Sequence, residues 1–575
     1  MFIKRNRSLQ GGKIYESVLL VHGERLSVPK GPGRPRKDAP PEPRTQVRHR
    51  TLANLSRLPP DLIALIEGYT KGVPPPELGA LVPGSIAGDN PAAMPGPIEP
   101  IHLGPCYGVL AGLHALAQEI GLVAALGPGR EASLALFLIY ARIARQGSRL
   151  GAVRWAEDHA VSEILGLERF DEDDLYAALD WLQIHQERIE KALFKKAASG
   201  AFFLYDVTSS YFEGQHNELA EHGYNRDGKR YKKQVVAGLL TDATGEPVSI
   251  QLYPGNTSDV ATFCPMVDRL KQRFAATDVV MVGDRGMIKK SGLEKLSAEG
   301  MRYVTALTDP QTRKLISQKV IDPELFDEEP AEVTQDRRRL ILRLNPELRT
   351  RDRQRRDSQL AKIQKRVDEG NQRLAKQTRA KVETLQKKTE GWVKNHGFGT
   401  WLRVETNPDK REVKIIEDTS ARANVELLDG CYVLVTDVPK EACATEQVCA
   451  RYKDLQKVER DFRTAKTGHL EIRPIFLRKA ERTEGHAFVT MLALKLSRQL
   501  DQRIAKLGLT VEDAVERLGG VRLVGLGPAA HSLWRLPCKF MPAQQEVLDC
   551  LPSLGSPLLS LAKPIKQRLK KYAKN

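Results

Sequence analysis

Twice in this chain a run of strand-forming apolar residues ends on an aspartate: FFLYDVTSS at 202–210 and DVVMVGDRG at 278–286. Runs this apolar belong to strands covered on both faces, as in the parallel part of an α/β sheet. A carboxylate at the end of such a strand gives up solvation that its charge needs. Asp206 or Asp284 alone would be explained by a turn or a helix cap. Two such aspartates in one sheet point instead to strand ends where reactive groups collect, and to a cation that offsets their repulsion. Mg2+ suits the position, because it takes hard oxygen ligands from one or two carboxylates together with substrate phosphates.

The periodicity around these runs predicts the rest of the sheet. AFFLYDVTSSYF, YKKQVVAGLLTD and EPVSIQLYPG read as three meandering strands, and NTSDVATFCPMVDRLKQRF as a helix. The Val-rich strand before Asp284, the helix KSGLEKLSAEG and a fifth strand MRYVTALT follow. The expected class is α/β with a mixed sheet, in the strand order of the RNase H-like fold.

Outside it, KIYESVLLV at 13–21 reads as a strand with TLANLSRL at 51–58 as its partner, and 75–100 as a Pro/Gly-rich linker. Residues 103–197 repeat apolar positions with helical spacing. Residues 310–430 are charge-dense, with one long helix expected over 353–390, a seam at Leu360, Val367 and Leu374, and two strands, TWLRVETN and EVKIIED. Another buried strand, LLDGCYVLVTD, and one amphipathic helix, ATEQVCARYKDLQKVERDFRTAKTG, come next; the chain ends in helices and a basic tail. The expected units are 1–100 (strands, a basic segment and linkers), 101–198 (helical), 199–309 (first part of the core), 310–429 (inserted α+β subdomain), 430–505 (second part of the core) and 506–575 (basic helical region).

Against 72 Asp and Glu stand 89 Lys and Arg, a net charge of +17 and a pI near 9.4. That excess favours a polyanionic partner, nucleic acid before membrane. Seven scattered cysteines, Cys106, Cys264, Cys431, Cys443, Cys449, Cys538 and Cys550, have no zinc-ligand spacing and read as reduced thiols. With neither a signal-peptide core nor an apolar run of membrane-spanning length, a cytoplasmic, nucleoid-associated protein is expected. Gly33-Arg34-Pro35-Arg36 resembles an AT-hook, against the alternative of a basic linker. Arg226, Lys229, Arg230, Lys232 and Lys233, between the first two strands, are either a DNA-facing patch or a solvated loop.

In RYKDLQKVERDFRTAK, Tyr452, Glu459 and Lys466 are spaced by seven, so an unbroken helix sets them on one stripe in steps of about 10.5 Å. Together with YDVTSSYFEG, GYNRDGKRYKKQVVAGLL, YPGNTSD, GDRGM and IRPIFLRKAERTEGH, this helix resembles the DDE transposases of bacterial insertion sequences, over about residues 200–505. The pattern is that of the insertion-sequence 4 superfamily, whose helix carries Tyr-x2-Arg-x3-Glu-x6-Lys, and is most like its insertion-sequence 1634 group. The arginine position holds Leu455, with Arg451 and Arg463 as substitutes, and Met287 and Ile288 stand where the family has an aromatic residue.

The resemblance implies that Asp206, Asp284 and Glu459 hold two Mg2+ (or Mn2+) ions. It implies nicking of element ends in double-stranded DNA, then attack of the freed 3′-hydroxyl on target DNA, by a homodimer in a synaptic complex. Lys466 would neutralise a phosphate and Tyr452 would donate a hydrogen bond to one. Trp392 and Trp401 either stack on a flipped base or fill the inserted core, and His486 resembles a recurrent family histidine or serves helix packing. A transposase-derived DNA-binding protein without activity, and an RNase H-like nuclease without strand transfer, are the alternatives.

Overall fold

The structure is a computed structural model. It describes residues 2–10, 13–27, 45–56, 63, 66–67, 70, 101–194, 202–229, 231–274, 279–407, 409–466, 470, 472–526, 533–537 and 539–551. The chain divides into two units, Met1–Ile98 and Glu99–Asn575.

The smaller unit is an antiparallel sheet of β1 (Phe2–Gln10), β2 (Lys13–Ser27) and β3 (Thr45–Asn54), with β2 in the middle. The expected partner of residues 13–21 is present as β3, paired from Leu19↔Asn54 to Ser27↔Thr45. The first strand was masked in sequence by its charges, since only Ile3 and Leu9 mark the alternation in FIKRNRSLQ. Val18, Leu55 and Ile63 form its core. Arg34 and Arg36 lie outside the described residues.

The larger unit is built on an eight-stranded mixed sheet. Its first strands are β5 (Phe202–Tyr211), β6 (Gln234–Asp242) and β7 (Pro247–Pro254), an antiparallel meander. After helix α7 (Asp259–Phe274) the chain returns on the other side of β5 as β8 (Val280–Gly283), parallel to it. Helix α8 (Lys290–Ala298) leads to β9 (Arg302–Ala306), parallel to β8. The order β7-β6-β5-β8-β9 is the RNase H-like one, and the sequence expectation for residues 201–309 holds strand by strand.

After β9 comes helix α9 (Asp309–Ser317), and beyond β9 the sheet continues through β14 (Cys431–Thr436), β11 (Arg338–Leu344) and β10 (Ala331–Gln335). The segment expected as an insertion from 310 therefore first gives two strands to the main sheet. Only afterwards does it leave, as α10 (Pro346–Lys376), α11 (Val382–Asn395), β12 (Leu402–Asn407), β13 (Glu412–Glu417) and α12 (Thr419–Glu426). The single helix expected over 353–390 is two helices, because the backbone turns extended at Gln377. Asn345 starts α10, its side chain accepting from Leu348 N at 3.1 Å ahead of Pro346. Val367 and Leu374 of the expected seam are buried, with Ile363, against Trp401, Leu385 and Val413. Trp401 is 1% exposed, and Trp392 packs half-buried on the same core with Arg366 at 5.4 Å from its ring.

Between β4 (Ile101–Cys106) and β5 lie six helices: α1 (Gly108–Glu119), α2 (Leu122–Leu126), α3 (Arg130–Ala144), α4 (Arg149–Ala156), α5 (Val161–Leu165) and α6 (Glu172–Phe194). They share one core with the sheet, because α15 (Ala480–Ile504) packs on α6, α3 and β7 at once. Residues 487–494 of α15 are all buried, as expected of a helix apolar on every side. Glu190 of α6, 1% exposed, ties the layers together: Ser249 Oγ of β7 donates to both its oxygens at 3.0 Å and Arg273 of α7 lies at 2.6 Å.

Past α15, α16 (Val511–Gly519) leads to β15 (Arg522–Leu526), which pairs with β4 and β16 (Leu533–Arg535) before α17 (Pro542–Asp549). This small sheet was not expected in a region read as helical. The basic tail lies outside the described residues. Among the described residues no helix is long and apolar enough to cross a membrane, and Cys106, Cys264, Cys431, Cys443, Cys449 and Cys550 are free thiols.

The inserted segment owns its core, so Trp401→Ala should cost about 3–5 kcal/mol there. Hydrogen exchange should show α10 and α11 losing protection while β5 and β8 keep theirs.

Candidate active site

β5 presents alternate residues to opposite faces: Phe203, Tyr205 and Val207 enter the core under α7, and Leu204 the core under α15. Gly238 of β6 is required by this packing, since a Cβ there would stand 2.2 Å from the Tyr205 hydroxyl. The parallel register pairs Phe202↔Val280 through Tyr205↔Gly283. Asp206 and Asp284 are the next residues in that register: Asp206 lies midway along β5, which continues to Tyr211 instead of ending there as expected, and Asp284 lies just past the end of β8, so pairing alone brings the two carboxylates together where β8 stops.

Glu459 comes from a helix packed on β5. The helix expected as one piece from 444 to 468 is two, α13 (Thr445–Lys453) and α14 (Leu455–Lys466), interrupted at Asp454. Tyr452 and Glu459 therefore sit on different helices and not on one stripe. The rotation of α14 is fixed from behind. Val458 and Phe462 enter the core, Asp461 accepts from Arg498 of α15 at 2.6 Å, and Lys457 Nζ donates to Ala243 O at 3.0 Å. Burial raises the Asp461 pKa to about 6 despite Arg498. This leaves Glu459 exposed, lining two cavities together with Asp206 and Asp284.

The larger cavity, about 840 Å3, runs from the three carboxylates to the inserted segment, where Arg351 and Arg355 of α10 line it. The smaller, about 370 Å3, is lined by Arg226, Arg285, Arg463 and Lys466 as well as the acids. Cations thus face the carboxylates from both sides. Asp206 Oδ1 accepts from Val207 N at 2.7 Å, yet burial first, then Asp284 and Glu459, push its pKa up to about 6. Asp284 Oδ1 accepts from Arg285 N at 2.6 Å and from the Tyr452 hydroxyl at 3.2 Å, and burial and Asp284 together raise the Tyr452 pKa.

Among the described residues no three His, Cys, Asp or Glu side chains stand as a ready-made metal cage. What the cavity supplies is hard carboxylate oxygens whose like charges oppose one another. That donor set fits a divalent ion held by one or two carboxylates and completed by substrate phosphate.

The remaining candidates are placed as follows. Lys466 is ion-paired with Asp227 at 3.0 Å, a carboxylate that Arg473 also meets; burial lowers the Lys466 pKa and Asp227 opposes this. Arg226 pairs with Asp259 at 2.5 Å, Lys232 with Glu213 at 2.7 Å, and Lys229 lies 4.3 Å from the Tyr211 ring centre. Lys233 is exposed, and Arg230 lies outside the described residues. Of the two substitutes for the missing arginine, Arg463 lines the smaller cavity, whereas Arg451 pairs with Asp454 at 3.2 Å. Leu455, Met287 and Ile288 are core residues. His486 is 4% exposed at 3.0 Å from Arg149, its pKa held well below the usual value by burial and by Arg149 and Arg142. It serves packing between α15 and α4. Asp227 escaped the sequence reading, although a single acid inside NRDGKRYKK was its signal.

The family model described as "Transposase DDE domain" matches residues 199–496. No curated protein matches the sequence. Among solved structures, a piggyBac transposase synaptic complex with hairpin DNA is similar at a TM-score of 0.36 and 8% identity, over 81% of this chain and 82% of that one. A Mos1 transposase paired-end complex with the left transposon end is similar at 0.14 and 13% identity, over 31% of this chain and 59% of that one.

In metal-free protein the raised Asp206 pKa makes its ionisation oppose folding. The stability it contributes is complete below the ordinary carboxylate value and is lost as pH rises through about 6. Asp206→Asn should therefore match wild type in urea denaturation at low pH and exceed it by about 3 kcal/mol at alkaline pH with chelator present. Asp227→Ala, which strands Lys466 and Arg473, should lower stability by about 3 kcal/mol in the same assay.

Proposed function

This chain belongs to the DDE transposase family through residues 199–496, and from that premise we propose that it cuts the ends of a mobile DNA element and joins them to target DNA by phosphodiester transesterification. This reading rests on the convergence of Asp206 of β5, Asp284 just past β8 and Glu459 of α14 on the same cavities. The finer assignment follows the sequence resemblance, to a bacterial insertion sequence of the insertion-sequence 4 superfamily, 1634 group. Synapsis of two ends calls for a homodimer.

Asp206, Asp284 and Glu459 would hold Mg2+ or Mn2+, two ions in the family pattern; such ions, when bound, stabilise charge on the attacking and departing oxygens of the phosphodiester. The protein's own groups do the rest. Tyr452 donates a hydrogen bond from its hydroxyl to Asp284 Oδ1 and so orients that carboxylate, a contact that takes the place of the phosphate bond expected of it. Asp206 gives up its proton more readily once a cation enters, because the burial and repulsion that raise its pKa are then offset.

Lys466 and Arg473 are held by Asp227, so a DNA phosphate entering the smaller cavity would exchange with or join that carboxylate as their counter-ion. Arg351 and Arg355 on one side and Arg226, Arg285 and Arg463 on the other flank the scissile strand with positive charge. Affinity built on such contacts falls steeply with salt.

Purified protein incubated with element-end DNA should nick and join it only with Mg2+ or Mn2+. Asp206→Asn, Asp284→Asn and Glu459→Gln should each cut the rate at least about 100-fold while binding persists. Cutting without joining would assign a nuclease instead, and binding without either step a DNA-binding protein.

A further inference from the structure

Tyr224 and Tyr231, in the connection between β5 and β6, leave 84% and 76% of their surface in water. Exposed aromatic area of that size is unfavourable and, when it clusters, marks a binding surface. A third ring, Phe476, is 65% exposed on an adjoining segment. That segment is tied to the end of β5 and the residues after it: Ile475 N donates to Tyr211 O at 3.2 Å and Glu213 N to Ile475 O at 3.0 Å, while Glu213 also pairs with Lys232.

The exposure is not slack in the chain. Arg226 N donates to Ser209 Oγ of β5 at 3.0 Å, and Asn225 Oδ1 accepts from Asp227 N at 2.9 Å and Lys229 N at 3.2 Å. Gln234 Nε2 donates to Tyr224 O at 3.2 Å, and Asp227 is clamped by Lys466 and Arg473. Tyr224 is thus carried on a fixed scaffold, and Tyr231 directly precedes Lys232, which Glu213 holds. Each also has a cation beside it: Arg226 lies 5.9 Å from the Tyr224 ring centre and Lys232 lies 6.0 Å from that of Tyr231. Arg226 in turn lines the cavity that holds the three carboxylates.

Rings with one side toward a cation and the rest in water, beside a cavity where Arg226, Arg285, Arg463 and Lys466 stand among the carboxylates, have the chemistry of a nucleobase platform: the face accepts a base and the neighbouring cations its phosphate. Bases inside a duplex offer only their edges, so the strand that uses such a platform must be unpaired. The tryptophans of the inserted segment do not offer this, since Trp401 is buried and Trp392 packs on the inserted core.

We propose that Tyr224 and Tyr231 stack on unpaired bases of the DNA strand entering the carboxylate cavity, and so select ends that are frayed or already opened. This rests on the transposase reading above. The test is fluorescence anisotropy with a labelled single-stranded oligonucleotide and its blunt duplex, comparing wild type, the Tyr224→Ala/Tyr231→Ala double variant and the Tyr224→Phe/Tyr231→Phe double variant. The alanine variant should lose at least about tenfold in affinity for the single strand and less than about twofold for the duplex, and the phenylalanine variant should keep wild-type values.

If the alanine variant binds both probes like wild type, or loses both equally, the stacking proposal is overturned while DNA binding stands. If wild type binds neither probe, the transposase reading itself has failed, and the stacking proposal with it.

Discussion

The larger unit is organised around one parallel strand pair. β5 and β8 run side by side, and each ends its apolar stretch with an aspartate one residue past the last paired position. Hydrogen-bond register, set by hydrophobic strands far more insistent than any single charge, brings Asp206, whose charge burial already penalises, up to the exposed carboxylate of Asp284. Everything near them answers that penalty: a tyrosine hydroxyl and backbone N–H groups on the acids, and arginines and lysines around the cavity. The sheet thus stores at one edge of its own core an electrostatic tension that a divalent ion and a polyanion together relieve.

The third carboxylate depends on a different kind of constraint. Glu459 is exposed and makes no contribution to folding that would hold it in place; what aims it is the opposite face of α14, through Val458, Phe462 and the buried Asp461–Arg498 pair. An ion pair of this kind does little for stability once desolvation is counted, and its value lies in fixing one orientation of the helix. The functional side chain and the residues that position it lie on opposite sides of the same two turns.

Much of this was legible from residue order. Apolar runs of four to eight residues with turn residues between them located β5 through β9, and the seam at Val367 and Leu374 marked the face of α10 that packs. The break at Asp454 was not legible, because RYKDLQ keeps helical periodicity through a one-residue interruption, and neither was the break at Gln377, which has no proline or glycine to announce it. β15 and β16 were missed for another reason: their partner β4 lies more than 400 positions earlier, as the 418-residue separation of Arg522 and Gly104 shows, and local pattern cannot see so distant a pairing. The ion pairs of the 226–233 loop belong to the same class, being set by Asp259, Glu213 and Lys466 from elsewhere in the chain.

The pairing of β4 with β15 has a mechanical side. Leu526 lies opposite Ile101, so the start of the large unit is held as the edge strand of a ladder whose partner comes more than 400 positions later. A pull on the backbone entering at residue 101 would peel β4 from β15 one rung at a time before any load reached β5 or β8. The ladder is thereby a fuse at the margin of the unit, sparing the strands that bring Asp206 and Asp284 together.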